Sequence, residues 1–287
     1  MALIRRSLPH IGGTARAVVY GDRVKIALMD SGLGLLAAAA ALRRLRPDAG
    51  LVLSSDPAGM PWGPRTPEDV VGRALAVARA AAAHRPDALI VACNTASVHA
   101  LPALRAALEP GLPVIGTVPA IKPAAAGGGP VAIWATPATT GSPYQRDLIR
   151  TFAASVDVTE VPCPGLADAV EHADEAGIER AVGAASDRTP REVRTVVLGC
   201  THYELVGERI RAALLRRGLP EVRLYGSADA VAAQALRRLG ETAASSATAA
   251  AEPGELTVLL SGRRASLPDP ALTYAEGRLL AAVTRVH

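Results

Sequence analysis

The chain has 287 residues and a formal net charge of +4, and only 3% of its residues are aromatic although 49% are hydrophobic. This length is enough for two lobes that each bury a core, and the composition indicates cores of Ala, Val and Leu. Because the basic residues are scattered along the predicted helices and do not cluster, the charge argues against nucleic acid as a partner.

The chain also lacks the patterns of a membrane or secreted protein. The longest apolar run, residues 33–42, is too short and too rich in Ala to cross a bilayer. The basic start is not followed by an apolar segment, so we predict no signal peptide and treat residues 1–23 as a loose extension. Three widely spaced cysteines do not describe a disulfide framework, which favours a cytoplasmic location.

The first half alternates predicted strands and helices. Strands are predicted at 24–29, 51–53, 88–92 and 112–117, and helices from the 30–34 turn to about 46, over 67–84, and over 96–108 with a kink near Pro102. Gly32 and Gly34 are expected to let the backbone approach a ligand. Trp62 lies in a loop rich in Pro and Gly, where surface packing and substrate contact are both open.

The second half repeats this plan after a glycine-rich hinge at 124–130. Strands are predicted at 131–135, 156–161, 195–199 and 222–225, and helices near 143, around Glu171, over 205–217 and over 228–239, with an irregular stretch at 177–190. Residues 241–254 are predicted to be a linker, and the strand at 255–260 and a final helix to return to one lobe. We therefore expect an α/β chain with an extension (1–23), two lobes (24–120 and 130–226) and a C-terminal segment (227–287).

Two cysteines mark corresponding places in the two halves. Cys93 and Cys200 each follow a short apolar strand and precede short polar side chains. Ligands bind outside the carboxyl ends of parallel strands, so both thiols could face one pocket. A thiol with a pKa of about 8.5 serves as a base when ionised and as an acid when protonated. Such a pair could remove a proton from one face of a carbon and return one to the other, with Asp30 and His202 as partners.

Other interpretations of these residues are open at this point. Most free cysteines are small buried hydrophobes. Cys93, Cys200, His202 and Asp30 include ligand types suited to zinc, although only Cys200 and His202 are close in sequence. A redox pair is disfavoured because the chain has no Cys-x-x-Cys, and Cys163, between two prolines, is assigned a structural role. The sequence has no glycine-rich phosphate loop followed by an acidic residue, so no motif indicates a nucleotide cofactor.

Five motifs taken in order resemble glutamate racemase of the aspartate/glutamate racemase superfamily, over roughly residues 24–262. They are Asp30-Ser-Gly-x-Gly34, Pro61-Trp-Gly63, Ala92-Cys-Asn-Thr-Ala-Ser97, Cys163-Pro164 with Glu171, and Gly199-Cys-Thr-His-Tyr203. The resemblance implies two flavodoxin-like lobes with mostly parallel sheets, related by a pseudo-twofold, with the active site between them. It also implies a homodimer that makes D-glutamate for peptidoglycan without a cofactor or metal.

The resemblance also implies roles for individual residues. Cys93 and Cys200 would be the acid/base thiols, with Asp30 assisting the first and His202 and Glu171 the second. The substrate's carboxylate and ammonium groups would be held by Ser31, Pro61, Trp62, Gly63, Asn94, Thr95, Thr136, Thr139 and Thr201. His202 favours the glutamate branch over the aspartate branch, which resembles Cys-Thr-Glu at this place.

The chain departs from the family pattern at four places. Trp62 replaces a tyrosine, Leu35 a glycine, Ala135 a glycine and Glu204 a proline. None of these changes removes a proton-transfer group, but they leave the substrate open between glutamate and a related amino acid such as aspartate. A catalytically weak relative that binds an amino acid is a second alternative. A decarboxylase with a single thiol is disfavoured because both cysteines are present.

Overall fold

The computed structural model describes residues 23–219, 222–241 and 252–282. Most of the extension predicted at 1–23 and of the linker predicted at 241–254 lies outside these residues. No helix within the described ranges is long and apolar enough to cross a membrane.

The chain builds two sheets one after the other. The first half contains β1 (Lys25–Asp30), α1 (Leu35–Leu45), β2 (Gly50–Ser55), α2 (Pro67–Ala82), β3 (Ala88–Val91), α3 (Asn94–His99), α4 (Leu101–Leu108) and β4 (Val114–Gly116). The second half contains α5 (Ile121–Ala126), β5 (Val131–Ala135), α6 (Pro143–Phe152), β6 (Val158–Pro162), α7 (Leu166–Glu171), α8 (Glu175–Arg188), β7 (Thr195–Leu198), α9 (Thr201–Glu204), α10 (Gly207–Arg216), β8 (Arg223–Tyr225) and α11 (Ala228–Arg238). The described residues that follow contain β9 (Leu256–Leu260), β10 (Arg263–Ala265), a 3₁₀ turn (Asp269–Thr273) and α12 (Ala275–Ala282).

Both halves use the same strand order. The first sheet runs β10-β9-β2-β1-β3-β4 and the second β6-β5-β7-β8, so each half places its second, first, third and fourth strands side by side. All pairs are parallel except β9 with β10. The fold is therefore α/β with two mostly parallel sheets, and we call the two halves the first and second lobe. The third strand of each lobe, β3 or β7, leads directly to Cys93 or Cys200.

The central strands are short apolar runs buried on both faces. Central strands β1, β3, β5 and β7 expose almost none of their side chains, as expected for parallel strands covered by helices. Helix α2 begins where Thr66 Oγ1 accepts a hydrogen bond from the Asp69 backbone N–H, and Pro67 occupies its first turn.

The stretch predicted to be irregular at 177–190 is instead mostly helix α8, so that prediction is wrong. Asp174 caps the helix by accepting a hydrogen bond from the Gly177 N–H at 3.0 Å. Ile178, Val182 and Ala185 then follow at helical spacing and are buried. Gly177 and Gly183 lower the helix propensity of this segment, and the packing of its apolar face outweighs that cost.

The C-terminal segment packs on the first lobe. Strand β9 pairs in parallel with β2, and helices α11 and α12 pack against α1. Helix α11, which directly follows the second sheet, therefore crosses to the first lobe. The domain boundaries at 120, 130 and 226 stay a proposal.

Candidate active site

A cavity of about 300 Å³ lies at the carboxyl ends of β1, β3, β5 and β7. It is lined by most of the predicted site residues, namely Asp30, Ser31, Pro61, Trp62, Gly63, Cys93, Asn94, Thr95, Thr136, Thr139, Cys200, Thr201 and His202. Glu171 does not line this cavity and lies behind His202. Residues that are far apart in sequence thus meet because both lobes present their strand ends to one space.

The first-lobe thiol lies beside a buried carboxylate. Cys93 precedes α3 and is 5% exposed, and Asp30 at the end of β1 is fully buried. Asp30 Oδ1 accepts the Ser31 N–H at 2.6 Å and its hydroxyl at 3.2 Å, and Oδ2 accepts the Thr201 hydroxyl at 3.2 Å.

Burial controls the protonation of both groups. It raises the pKa of the Asp30 carboxyl, although His202 and the hydrogen bonds from Cys93 and Ser31 favour the ionised form. Burial raises the pKa of the Cys93 thiol well above its ordinary value, and the neighbouring negative charge of Asp30 raises it further. The unliganded site therefore holds Cys93 as the thiol, the form that donates a proton.

The second-lobe thiol has a different environment. Cys200 precedes α9 and is partly exposed, with its Sγ 3.9 Å from His202 Nδ1. His202 Nε2 lies 3.0 Å from Glu171 Oε2, which also accepts the Leu33 backbone N–H at 2.7 Å. Cys200, His202 and Glu171 thus form a chain of hydrogen-bonding groups that ends on the first lobe.

The charges of His202 and Glu171 stabilise each other. Burial opposes a charge on His202, but its hydrogen bonds with Cys200 and Glu171 raise its pKa well above the ordinary value. Burial likewise opposes ionisation of Glu171, but the hydrogen bond and charge of His202 leave its pKa lowered. An imidazolium is therefore held beside the Cys200 sulfur, with His202 Nδ1 3.9 Å from Sγ.

Gly32 and Gly34 make room for the second lobe, not for the ligand as the sequence suggested. A Cβ on Gly32 would lie 2.2 Å from Glu171 Oε2. A Cβ on Gly34 would lie 2.3 Å from both Asp30 Oδ2 and Thr201 Oγ1. These contacts are too short for any side chain, so only glycine lets the acid/base groups of the two lobes approach one another.

Asn94 offers an unused acceptor. Its Nδ2 donates to the Gly199 carbonyl at 2.7 Å and so joins the two cysteine loops. Its Oδ1 is buried and has no hydrogen-bond partner among the described residues. A buried acceptor without a partner is costly, and a ligand N–H that entered the cavity would satisfy it.

The loop after β5 supplies hydroxyl groups on the second-lobe wall. Thr136 Oγ1 and Thr139 Oγ1 lie 3.1 Å apart, and either can donate. The loop is fixed from behind because Glu160 accepts hydrogen bonds from the Gly141 N–H at 2.7 Å and from Gln145 Nε2 at 2.6 Å. These threonines are therefore preorganised to turn hydroxyl groups toward a ligand.

Trp62 does not pack on the surface, because its side chain is buried in the first-lobe core while it also lines the cavity. Its Nε1–H donates to Asp56 Oδ2 at 3.2 Å, and Asp56 is held by Arg73 and by the Ser261 hydroxyl. The indole N–H is thus used within the protein, and the ring gives the cavity an apolar wall.

Sequence reasoning missed several residues of the wall. They are Met60, Pro64, Pro137, Ala138, Pro164, Gly165, Ala167, Asp168 and Gly199. Most adjoin a predicted residue, and proximity to the motifs is the signal that could have found them. Asp168 had no such signal, because a carboxylate one turn before Glu171 on a helix is ordinary for a solvated face.

Cys163 also lines the cavity but is largely buried in the core. Its thiol donates to the Val161 carbonyl, and burial raises its pKa to about 12. This environment keeps the thiol protonated, in agreement with the structural role assigned from the sequence.

The structure gives no geometric support for the alternative of a metal site. Within the described ranges, no group of three or more His, Cys, Asp or Glu side chains is placed to hold a metal ion.

The chain is similar to known racemases in sequence. The family model for Asp/Glu/Hydantoin racemase matches residues 35–235. The glutamate racemase of Sphingopyxis alaskensis is 39% identical over 202 residues, which covers 67% of this chain and 74% of that protein. The glutamate racemase of Roseiflexus sp. is 38% identical over 192 residues, covering 65% and 70%.

Solved structures show the same architecture. Escherichia coli glutamate racemase in complex with L-glutamate and an activator, UDP-MurNAc-ala, superposes with a TM-score of 0.72 at 27% identity, covering 91% of this chain and 94% of that one. Glutamate racemase from Thermus thermophilus, in complex with beta-chloro-D-alanine, gives a TM-score of 0.62 at 28% identity, covering 90% and 93%. With the family model matching well over half of its length, the chain belongs to the Asp/Glu/Hydantoin racemase family.

Proposed function

We propose that the protein interconverts L- and D-glutamate by proton transfer between two thiols, without a cofactor. The observation that carries this proposal is that Cys93 and Cys200, from equivalent positions in two lobes, line one cavity and each have their own acid/base partner. Relatives that match over about two thirds of the chain are glutamate racemases.

The reaction needs one thiolate and one thiol at a time. The thiolate removes the α-proton of the amino acid, and the electron pair of that C–H bond stays on the substrate as a carbanion. The opposite thiol then donates its proton to the other face of this carbon and becomes the thiolate. The product is the other enantiomer, and the two thiols have exchanged protonation states, so the reverse reaction restores them.

The partners explain how each thiol can change its protonation state inside a closed site. His202, charged and anchored on Glu171, stabilises a thiolate at Cys200. Asp30, whose own pKa is raised by burial, can share a proton with Cys93 when that sulfur must act as a base. Each lobe thus contributes one complete acid/base pair.

The substrate is held by donors and one free acceptor. We propose that Asn94 Oδ1 accepts from the α-ammonium group, because it is a buried acceptor of the cavity wall left without a partner among the described residues. The carboxylates would accept from the hydroxyl groups of Thr95, Thr136 and Thr139 and from the Gly63 N–H, which line the same cavity. The hydroxyl groups of Ser31 and Thr201 donate to Asp30 in the structure and would have to turn away from it to reach a carboxylate of the substrate. This set does not by itself exclude aspartate, whose side chain is shorter by one methylene.

The test is exchange of the α-proton with solvent. Purified protein in deuterium oxide should remove the α-proton NMR signal of L- and D-glutamate, and the circular dichroism of either enantiomer should decay to zero. Exchange of the α-proton of aspartate but not of glutamate would show that the substrate is aspartate and not glutamate. A folded and reduced sample that exchanges neither would favour the amino-acid-binding protein.

A homodimer, a cytoplasmic location and a role in supplying D-glutamate for peptidoglycan are part of the same proposal. They follow from the family resemblance and from the cysteine content. Gel filtration, cell fractionation and rescue of a D-glutamate auxotroph would test them separately.

A further inference from the structure

Glu204 occupies the place where the family pattern has proline, four residues after Cys200. It is the last residue of α9, the single turn that carries Thr201 and His202. Its carboxylate points away from the cavity and toward the start of α11, in the opposite direction from the acid/base groups of the same turn.

The carboxylate caps α11 from a distance in sequence. Glu204 Oε1 accepts the Ser227 N–H at 2.8 Å and the Ser227 hydroxyl at 2.9 Å. Oε2 accepts the Ala228 N–H at 3.2 Å. The two backbone donors are free N–H groups at the positive end of an eleven-residue helix, which is where a negative charge is most stabilised.

The N-cap residue of α11 does not replace this cap. The side chain of Ser227, at the N-cap position itself, makes no capping hydrogen bond to α11. A Cβ on Gly226 would lie 2.2 Å from Glu204 Oε2, so the local backbone leaves room for the carboxylate and for no other side chain. Burial raises the pKa of Glu204, against the three hydrogen bonds that favour its ionised form.

Helix α11 in turn is fixed to the first lobe. It packs against α1 and also contacts β3 and β4, the strands that flank the Cys93 loop. Turn α9 is therefore held from two sides. Thr201 and His202 meet Asp30 and Glu171 at the front, and Glu204 meets α11 at the back.

We propose that Glu204 is a positioning residue that sets the placement of Cys200 and His202 relative to the first-lobe thiol, by capping α11. This proposal rests on the racemase function proposed above. In place of the rigid ring of proline, the chain uses a partly buried carboxylate that couples the second cysteine loop to a helix of the first lobe.

The test uses the variants Glu204→Gln and Glu204→Ala. The Gln side chain has the same shape, but its NH₂ group is a donor and faces the N–H donors at the start of α11. The Ala side chain removes the cap. Misplacement of reacting groups costs up to about 100-fold in rate, so we expect kcat to fall for both variants with little change in KM, and more for Ala. Asp174→Ala, which removes the cap of α8 in the same lobe, is the matched control and should leave kcat unchanged.

Isotope effects distinguish positioning from a general loss of folded enzyme. With L- and D-glutamate deuterated at the α-carbon, slowing the Cys200 step should raise the isotope effect on kcat/KM for one enantiomer and lower it for the other. His202→Gln should shift both effects in the same directions, because it weakens the same step. Isotope effects that stay equal to those of the wild type in both Glu204 variants would overturn the proposal.

A second readout does not need turnover. In protein labelled with ¹⁵N-histidine, the ring signals of His202 should move in Glu204→Gln and stay in place in Asp174→Ala. If wild-type protein proves inactive, the racemase function fails, yet this measurement still tests the coupling. Unmoved His202 signals in Glu204→Gln would refute the positioning role independently.

Discussion

The two cysteine loops have the same topology and opposite electrostatics. Each follows the third strand of its sheet and precedes a short helix. Cys93 is buried beside a carboxylate, and its burial and this negative charge together keep the thiol protonated. Cys200 is partly exposed and lies beside an imidazolium, which carries the opposite charge. A duplicated fold thus supplies two equivalent positions, and the neighbours at each position give the two thiols different surroundings, a buried carboxylate for Cys93 and an imidazolium for Cys200.

The largest expected effect comes from removing either thiol. Cys93→Ala and Cys200→Ala should each lower the rate of racemisation by about 10²–10⁴-fold, because each deletes one of the two proton-transfer groups. Polarimetry or circular dichroism of each enantiomer measures the rate. Cys163→Ala is the matched control, a buried cysteine of the same cavity that should retain activity. Equal loss in all three variants would contradict the two-thiol mechanism.

The next largest effect concerns the contact between the lobes at Gly34. Gly34→Ala places a methyl group 2.3 Å from Asp30 Oδ2 and Thr201 Oγ1, so the acid/base groups must move apart. We expect a loss of stability of about 1–3 kcal/mol, as for an overpacked site, together with a large fall in kcat. Urea unfolding and steady-state kinetics check both.

Gly72→Ala is the control for that substitution. Gly72 lies in α2, and a Cβ added there would meet no other atom of the described residues within 4 Å. Alanine should therefore stabilise the protein by up to about 1 kcal/mol through helix propensity. A Gly34→Ala protein with normal activity would show that the lobes are not held as closely as the structure indicates.

A moderate effect is expected on the pH dependence of stability. The raised pKa of His202 means that its proton stabilises the folded state. This gain is fully present below the ordinary histidine pKa of about 6.5 and is lost as the pH rises through the raised pKa of the folded protein. The lowered pKa of Glu171 gives a gain that is present above its ordinary value and is lost as the pH falls through the folded value.

His202→Gln tests this sign. The variant should be less stable than wild type near neutral pH, and the difference in Tm should shrink as the pH rises into the alkaline range. Thermal melts at several pH values between neutral and alkaline measure the difference. A difference in Tm between wild type and variant that stays constant or widens as the pH rises would show that His202 is not charged in the folded protein.

The smallest effect is expected at Trp62. Trp62→Phe keeps a ring on the cavity wall but removes the hydrogen bond to Asp56, which remains paired with Arg73 and Ser261. We expect a loss of about 1 kcal/mol in stability and little change in KM, because the indole N–H does not face the substrate. A large rise in KM would instead assign Trp62 a direct contact with the substrate.

Much of the fold could be predicted from local patterns. The apolar runs that became β1, β3, β5 and β7 are buried on both faces, and such runs carry their own signal in the sequence. Helix α8 was harder to predict than these strands. Gly177 and Gly183 weaken its local helix propensity, and its stability comes from burying Ile178 and Val182.

The types and order of the chemical groups can be read from the amino-acid sequence, namely two thiols, a carboxylate and an imidazole placed after strands of two similar halves. Which of these groups meet depends on the packing of the two lobes. Glu171 reaches His202 from another helix, Gly32 and Gly34 serve the opposite lobe, and Glu204 caps a helix that packs on the first lobe. These relations join residues far apart in the chain, and protonation depends on burial and neighbouring charge, which no local pattern records.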